Sequence, residues 1–274
     1  MISPSADFDY IRQFVKEQAA VVLSDDKTYL VESRLAPILA QTGFKSLRQL
    51  VAHLRLESSK GLQQQVIEAL VTTETLFFRD LYPFTALRTD IIPTLMAKRY
   101  SSRCLRLWSA GCSSGQEPYS LAMLLREHFP MLANWDVQIL ATDISHEMLE
   151  RAQLGHYTQH EVDRGVPPEL KQRYFQRQGN RWVISKAIRE QVTFQQLNLA
   201  TPWPTLPPVD ILYLRNVLIY FSVPTKQAIL ARVKRCLRPD GYLFLGGGET
   251  TVMLDNAFKP VQYDKAICYQ LNCE

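Results

Sequence analysis

The chain has 274 residues, long for one small domain and short for three, so a large domain with an accessory one is expected. With 46% hydrophobic and 21% charged residues the composition is globular, which excludes a disordered chain, and 11 glycines against 15 prolines exclude a collagen-like one. A net charge of +4 is too even for a general nucleic-acid binder.

The N-terminus, MISPSADFDYI, carries Asp7 and Asp9 where a signal peptide needs a basic start and an apolar run, so a cytoplasmic location is expected. From there to about residue 90 the spacing predicts helices: Phe8, Ile11, Phe14 and Val15, then Leu47, Leu50, Val51 and Leu54, then Val66 and Leu70 recur with a helical period. Asp7 and Asp9 suit the start of the first helix, and Gly43 suits the end of another. Between Arg34 and Lys60, five cations (Arg34, Lys45, Arg48, Arg55, Lys60) stand against Glu57 alone, a local +4. This is either a steering surface or a solvated helix face.

After residue 100 the pattern changes. Leu105–Ala110, Val137–Thr142, Val192–Leu197, Val209–Leu214 and Tyr242–Gly246 read as strands, with helices at Tyr119–Phe129, Glu147–Gln153 and Thr225–Leu237. That alternation predicts a parallel sheet covered on both faces. Residues 156–190 break the rhythm and read as an insertion with a short hairpin arm at Arg181–Ile184. The longest uncharged stretch of the second half, Gln191–Val209, holds four prolines, which hydrocarbon rejects. Five cysteines (Cys104, Cys112, Cys236, Cys268, Cys273), an odd number without a CxxC, read as reduced and mostly buried thiols.

Four stretches could carry chemistry. In WSAGCSSGQEPYS a strand ends at Ala110, Gly111 and Gly115 bracket a tight loop, and Pro118 opens a helix whose free N–H groups can meet a ligand. It is neither GxGxxG nor a P-loop, and Glu117 repels pyrophosphate while welcoming a cation; a plain helix-capping role is the alternative. Asp143, ending the second strand 32 residues after Gly111, is placed to accept hydrogen bonds from ribose hydroxyls, or is a helix N-cap. In DILYLRNVLIYF the pair Arg215–Asn216 follows a buried strand, where open α/β sheets bind ligands, and Tyr220 follows as site or core. Val71–Asp80, VTTETLFFRD, reads as packed on one side and polar on the other, or as an ordinary helix start. Gly246–Gly248 permits a turn near the ligand. His156 and His160, four apart, would pair on a metal only if helical, and no third ligand is evident.

In order, TTETLFFRD, LRLWSAGCSSGQEPYSLA, ATDIS, LNL, ILYLRNVLIYF and LRPDGYLFLGGGE resemble the chemotaxis receptor glutamate methyltransferases, the CheR family. The resemblance implies an α/β fold: a Rossmann-like methyltransferase sheet dependent on S-adenosylmethionine (AdoMet) over residues 73–274, with a small β-subdomain inserted at about 172–190. An all-helical receptor-recognition domain, residues 1–72, precedes it. Thr73, Thr75, Arg79, Glu117, Asp143, Asn198, Leu199, Arg215 and Asn216 would line the AdoMet pocket, with Arg79 and Tyr220 as orienting groups at the methyl site. Thr73 stands where many relatives have Asn, and Gly246-Gly247-Gly248-Glu249 where relatives show Gly-His-Ser-Glu, so that histidine is absent.

The implied reaction turns AdoMet into S-adenosylhomocysteine, without a metal, and esterifies a glutamate. With a reference pKa of about 4.3 that acceptor is already ionised and needs no strong base. The implied partners are the acidic coiled-coil signalling domains of chemoreceptors, met by the basic face around Arg34, Lys45, Arg48 and Arg55, and a regulatory protein; nucleic acid and membrane insertion are not expected, and a monomer is. Some members also grip a receptor C-terminal pentapeptide. The segment between Phe175 and Val183 is short, which points to a member that does not. An AdoMet methyltransferase with another acceptor, and a non-catalytic AdoMet-sensing module, are the competing readings.

Overall fold

A computed structural model of the chain describes residues 4–24, 28–56 and 59–272; Glu57 and Cys273 lie outside the described residues. By its contacts the chain divides into two units, Met1–Thr72 with Tyr220–Thr225, and Thr73–Ile219 with Lys226–Glu274.

The first unit holds α1 (Pro4–Ala19), α2 (Thr28–Thr42), α3 (Leu47–Leu54) and α4 (Lys60–Leu70). Each helix buries a pair of apolar side chains four positions apart, hence on one face: Ile11 and Val15, Val31 and Leu35, Leu50 and Leu54, Val66 and Leu70. Gly43, at φ +74°, ends α2 in the left-handed conformation that glycine adopts without strain. The Ser46 side chain caps α3 by accepting from the Gln49 N–H. Arg34 is half-buried and donates to the carbonyls of Leu70 (3.0 Å) and Val71 (3.1 Å), closing the C-terminus of α4. It is therefore not an exposed charge, whereas Lys45, Arg48 and Arg55 are exposed, Arg55 lying 4.6 Å from the Tyr10 ring centroid. The 220–225 segment joins this unit through a bridge between Val21 and Phe221 and a bond from the Val22 N–H to the Tyr220 carbonyl (3.0 Å).

The second unit is built on a seven-stranded sheet. Its strands are β1 (Cys104–Ala110), β2 (Asp136–Asp143), β6 (Val192–Gln196), β7 (Val209–Leu214), β8 (Leu237–Leu245), β9 (Phe258–Tyr263) and β10 (Ala266–Leu271), in the order β6-β2-β1-β7-β8-β10-β9. The first five are parallel, so their C-terminal ends share one edge, and β10 is antiparallel to both β8 and β9. All six residues of β7 are buried, as a strand covered on both faces requires. α5 (Gln116–His128), α6 (His146–Leu154) and α7 (Val223–Cys236) are the predicted helices, found within a few residues of their expected limits. β9 and β10 are an addition to the predicted strands.

A three-stranded antiparallel sheet interrupts this pattern, formed by β3 (His156–Tyr157), β4 (Phe175–Gln178) and β5 (Arg181–Ile184) in the order β3-β5-β4. It draws its first strand from upstream of residue 172. Phe77 meets Tyr157 and Phe175 edge-on, with centroids 4.9 and 5.5 Å away, so the insertion packs on the 71–81 segment. That segment is not a helix start. It runs extended and then turns, with Phe78, Asp80 and Leu81 at φ +48°, +68° and +44°. His156 lies on β3 and His160 on the helix Gln159–Asp163, so the two do not share a helix face.

Candidate active site

The loop after β1 is fixed by backbone donors and one carboxylate. The N–H groups of Gly111 and Cys112 both bond the Thr142 carbonyl, and the Asp143 carboxylate accepts from Ser113 N (2.8 Å) and Ser145 N (2.9 Å). These bonds hold the Asp143 carboxylate at the end of β2, beside the loop. Two glycines make the loop possible. Gly111 (φ +76°) leaves no room for a Cβ, which would fall 2.5 Å from a Val217 methyl, and Gly115 (φ +93°) would place one 2.9 Å from Ala152. Ser113 also donates to the Thr73 carbonyl (2.6 Å), which brings Thr73 to this loop; Thr75 follows, half-buried, in the extended segment. Beneath the loop, the Tyr157 hydroxyl donates to the Ser114 carbonyl (2.7 Å).

Beside the loop lies a charge cluster. Glu117, in the first turn of α5, accepts from the Ser109 hydroxyl (2.7 Å) and from Arg215 Nη1 (3.2 Å), and the second Arg215 terminal nitrogen bonds Asp80. The Arg215 side chain is 1% exposed and Glu117 12%. Burial pushes the Glu117 carboxyl up, while Arg215, the Ser109 hydroxyl and Arg79 pull it back down. Burial likewise pushes up the Cys112 thiol, with Asp143 and Glu117 adding to the effect, so Cys112 is held as an inert thiol rather than a nucleophile. The other described cysteines are also free, with Cys236 and Cys268 pushed up to about 12 by burial.

The Glu249 carboxylate organises the loop after β7. It accepts from four backbone N–H groups: Asn216 (2.7 Å), Gly246 (2.7 Å), Val217 (2.9 Å) and Ile219 (3.1 Å). Asn216 is thereby held at φ +59°, and Gly246 must be glycine, because a Cβ there would sit 2.5 Å from Asn216 Nδ2. Against this loop opens a cleft of about 590 Å³, bounded by Arg79, Arg215, Asn216 and the Gly246–Glu249 turn on one side and by the β9–β10 turn on the other.

The structure thus brings Thr73, Arg79, Glu117, Asp143, Arg215 and Asn216 to the C-terminal edge of the parallel strands, as neighbours of one loop, one charge cluster and one cleft. Asn198 and Leu199 follow β6. The Asn198 side chain accepts from Ala200 N (2.9 Å), and the Leu199 carbonyl from Trp203 Nε1 (3.2 Å) and Arg232 (2.9 Å), which ties down that turn. Tyr220 belongs by its contacts to the helical unit. Sequence reasoning missed Asp80, the second carboxylate on Arg215, and Glu249. The signal for Glu249 was available in part, since an acidic residue after three glycines can fold back on their free N–H groups.

Among the described residues, Arg215 Nε and Asn216 Oδ1 at this edge, like the buried Tyr213 hydroxyl on β7, have no hydrogen-bond partner. Buried polar groups are ordinarily paired, so an unpaired donor and acceptor together ask for a ligand that both accepts and donates. A molecule with a carboxylate, an ammonium, a sulfonium and a ribose meets that demand, suits Glu117 and Asp143, and needs no phosphate cradle. AdoMet therefore fits the donor set.

Comparison with known proteins agrees. The family model for the CheR methyltransferase SAM-binding domain matches residues 73–267, and that for the CheR all-alpha domain matches residues 6–71. Chemotaxis protein methyltransferase 1 of Pseudomonas aeruginosa is 42% identical, over 98% of this chain and 99% of its own length. Chemotaxis protein methyltransferase Cher2 of Pseudomonas putida is 41% identical over the same shares. A solved TehB-like SAM-dependent methyltransferase from Corynebacterium glutamicum is 12% identical, covering 70% of this chain and 94% of its own, at a TM-score of 0.38, a likeness too slight to bear on function. With both family models spanning the helical and the sheet regions and relatives above 40% identity along nearly the whole length, the chain belongs to the CheR family of SAM-binding methyltransferases.

Proposed function

We propose that this methyltransferase esterifies glutamate side chains of chemoreceptor signalling domains, acting in the cytoplasm as a monomer without a metal and leaving S-adenosylhomocysteine. The observation that carries the reading is the Arg215 cluster: a buried guanidinium shared by Glu117 and Asp80, with its Nε unpaired at the sheet's C-terminal edge. Bound AdoMet supplies a methyl group on a positively charged sulfur, which becomes a neutral thioether as a carboxylate oxygen takes the methyl.

In this reading Arg215 and Asn216 hold the methionine end, Glu117 offsets the cationic charge, and Asp143 takes the ribose. Thr73, Thr75, Asn198 and Leu199 complete the pocket, and Arg79 and Tyr220 orient the acceptor. Opposite charges cancel as the methyl moves, so partial exclusion of water favours the step, and alignment of oxygen, methyl and sulfur supplies several kcal/mol. No proton is transferred, which agrees with a site whose one nearby thiol is inert. No helix among the described residues is long and apolar enough to cross a membrane. The face of Lys45, Arg48 and Arg55 is proposed to steer the acidic receptor, and the short turn of the β4–β5 hairpin argues against a bound receptor pentapeptide.

Tritiated AdoMet with receptor-containing membranes tests this. The expected result is volatile methanol released by base, the mark of a carboxyl methyl ester. Base-stable label, or no label, would point instead to another acceptor or to a sensing module.

A further inference from the structure

The cleft beyond Asn216 has an unequal set of charges. Its two carboxylates are committed: Asp80 is bonded by Arg215, and Glu249 by four backbone N–H groups. Its remaining cations lack a close ion pair. Among the described residues neither Arg79 nor Lys265 has an ion-pair partner within 4.0 Å; Arg79 makes one long bond to the Glu74 carbonyl (3.4 Å). Lys265 stands in the two-residue connection between Tyr263 and Ala266, where β9 and β10 pair, and its exposed ammonium lies 5.3 Å from the Tyr82 ring centroid. That contact holds a flexible head at the rim instead of letting it range through solvent.

The space is also kept open. A Cβ on Gly247 or Gly248 would meet nothing within 4 Å, so the three-glycine turn fills none of the cleft, and Tyr82 and Ile267, 45% and 53% exposed, form its apolar lip. An open cleft with Lys265 uncommitted at its rim, an apolar lip and already-satisfied carboxylates is complementary to an acidic side chain on an extended or helical segment.

We propose that this cleft is a subsite for a second acidic residue, a neighbour of the acceptor glutamate on the same receptor segment, and that Lys265 is the cation that selects it. The proposal rests on the glutamate-methylation reading above. It makes Lys265 a specificity-determining residue: it chooses which glutamates are presented and has no part in holding AdoMet.

The test uses the full chain and a chemoreceptor cytoplasmic fragment, with methanol release as readout and AdoMet affinity measured separately by calorimetry. Lys265→Ala is expected to raise the KM for the fragment about threefold and Lys265→Glu about tenfold, within the range that rim charges contribute. AdoMet affinity should stay within twofold. Lys259→Glu, the same change of net charge on exposed β9, is expected to leave that KM unmoved. Changing the acidic neighbour of the methylated glutamate to lysine should restore turnover by Lys265→Glu. Equal effects of Lys259→Glu and Lys265→Glu, an unchanged KM, or no rescue would overturn the subsite while leaving the methyltransferase reading intact. Absence of methanol with the wild-type chain would overturn both.

Discussion

The two ends of the parallel sheet handle charge in opposite ways. At the N-terminal end of β7, fully buried Asp210 meets Arg99 (2.9 Å) and Arg238 (3.2 Å) and accepts from the Arg106 N–H (2.9 Å), while Arg99 also bonds Asp240 (2.5 Å). There each carboxylate is matched by cations of the chain itself, and the Asp240 bond with the Arg99 guanidinium lowers its carboxyl below the usual range. At the C-terminal end Arg215 is equally buried and meets two carboxylates, yet its Nε and the neighbouring Asn216 Oδ1 go unpaired, and Phe78, Asp80, Ser113 and Asn216 take left-handed backbone conformations. One end closes its carboxylates with arginines of the chain; the other leaves a donor and an acceptor unpaired beside a cleft. Orphaned atoms and left-handed residues are not confined to this edge, since Arg106 Nη1 and Arg238 Nε at the other end also lack a hydrogen-bond partner and Arg103 stands at φ +48°; what sets this edge apart is an unpaired donor and acceptor on residues that line an open cleft.

The comparison predicts separable losses. Asp210→Ala removes the partner of two arginines in a closed cluster and should cost about 3–5 kcal/mol of stability in denaturant titrations. AdoMet affinity of the folded fraction should remain within twofold; a matching loss of affinity would erase the distinction between the ends. Glu249→Gln keeps the shape but turns an amide N–H₂ toward backbone donors, so the Asn216 loop should shift. Turnover should fall about 100-fold, the scale of a 1 Å misplacement, with a smaller change in the KM for AdoMet. A variant that loses both parameters equally would make Glu249 a general stabiliser instead.

Glu117 gives a pH signature. Its carboxyl is raised chiefly by burial, so the folded state holds the proton more tightly than the unfolded chain. The associated stability is fully present below the ordinary carboxyl range and is lost as pH rises through the raised folded value. Without ligand, the wild type should therefore lose stability relative to Glu117→Gln as pH rises from the ordinary carboxyl range through the raised folded value, and AdoMet should narrow the gap by supplying a cation. Denaturant midpoints across that range would show a flat difference if Glu117 were not under this strain. The smallest effect belongs to the surface: Arg48→Ala with Arg55→Ala should weaken receptor binding only a few-fold, and less at high salt, where the Debye length falls to about 3 Å at 1 M.

Much of this edge is legible in the sequence because its cues are local. LRLWSA and VQILAT announce strands, the Gly111–Gly115 bracket announces a loop, and Asp143 and Arg215–Asn216 follow strands directly. Features that depend on distant partners are not legible. Asp80 looks like a solvated residue beside Arg79 until β7 brings in Arg215, 135 positions later. Arg34 counts as a surface charge until α4 presents its last carbonyls. Of the four N–H groups on Glu249 only that of Gly246 belongs to the three-glycine turn, and the others come from residues 30 to 33 positions away. β9 escapes because Lys259 and Pro260 suit an edge strand, where half the backbone faces no neighbour and apolar alternation is weak.

A crystal structure with S-adenosylhomocysteine bound is the most direct test. The product should lie across the C-terminal ends of β2, β1 and β7, its ribose on Asp143, with Arg215 Nε and Asn216 Oδ1 both newly hydrogen-bonded. Product bound elsewhere, or bound with those two atoms still unpaired, would contradict the account.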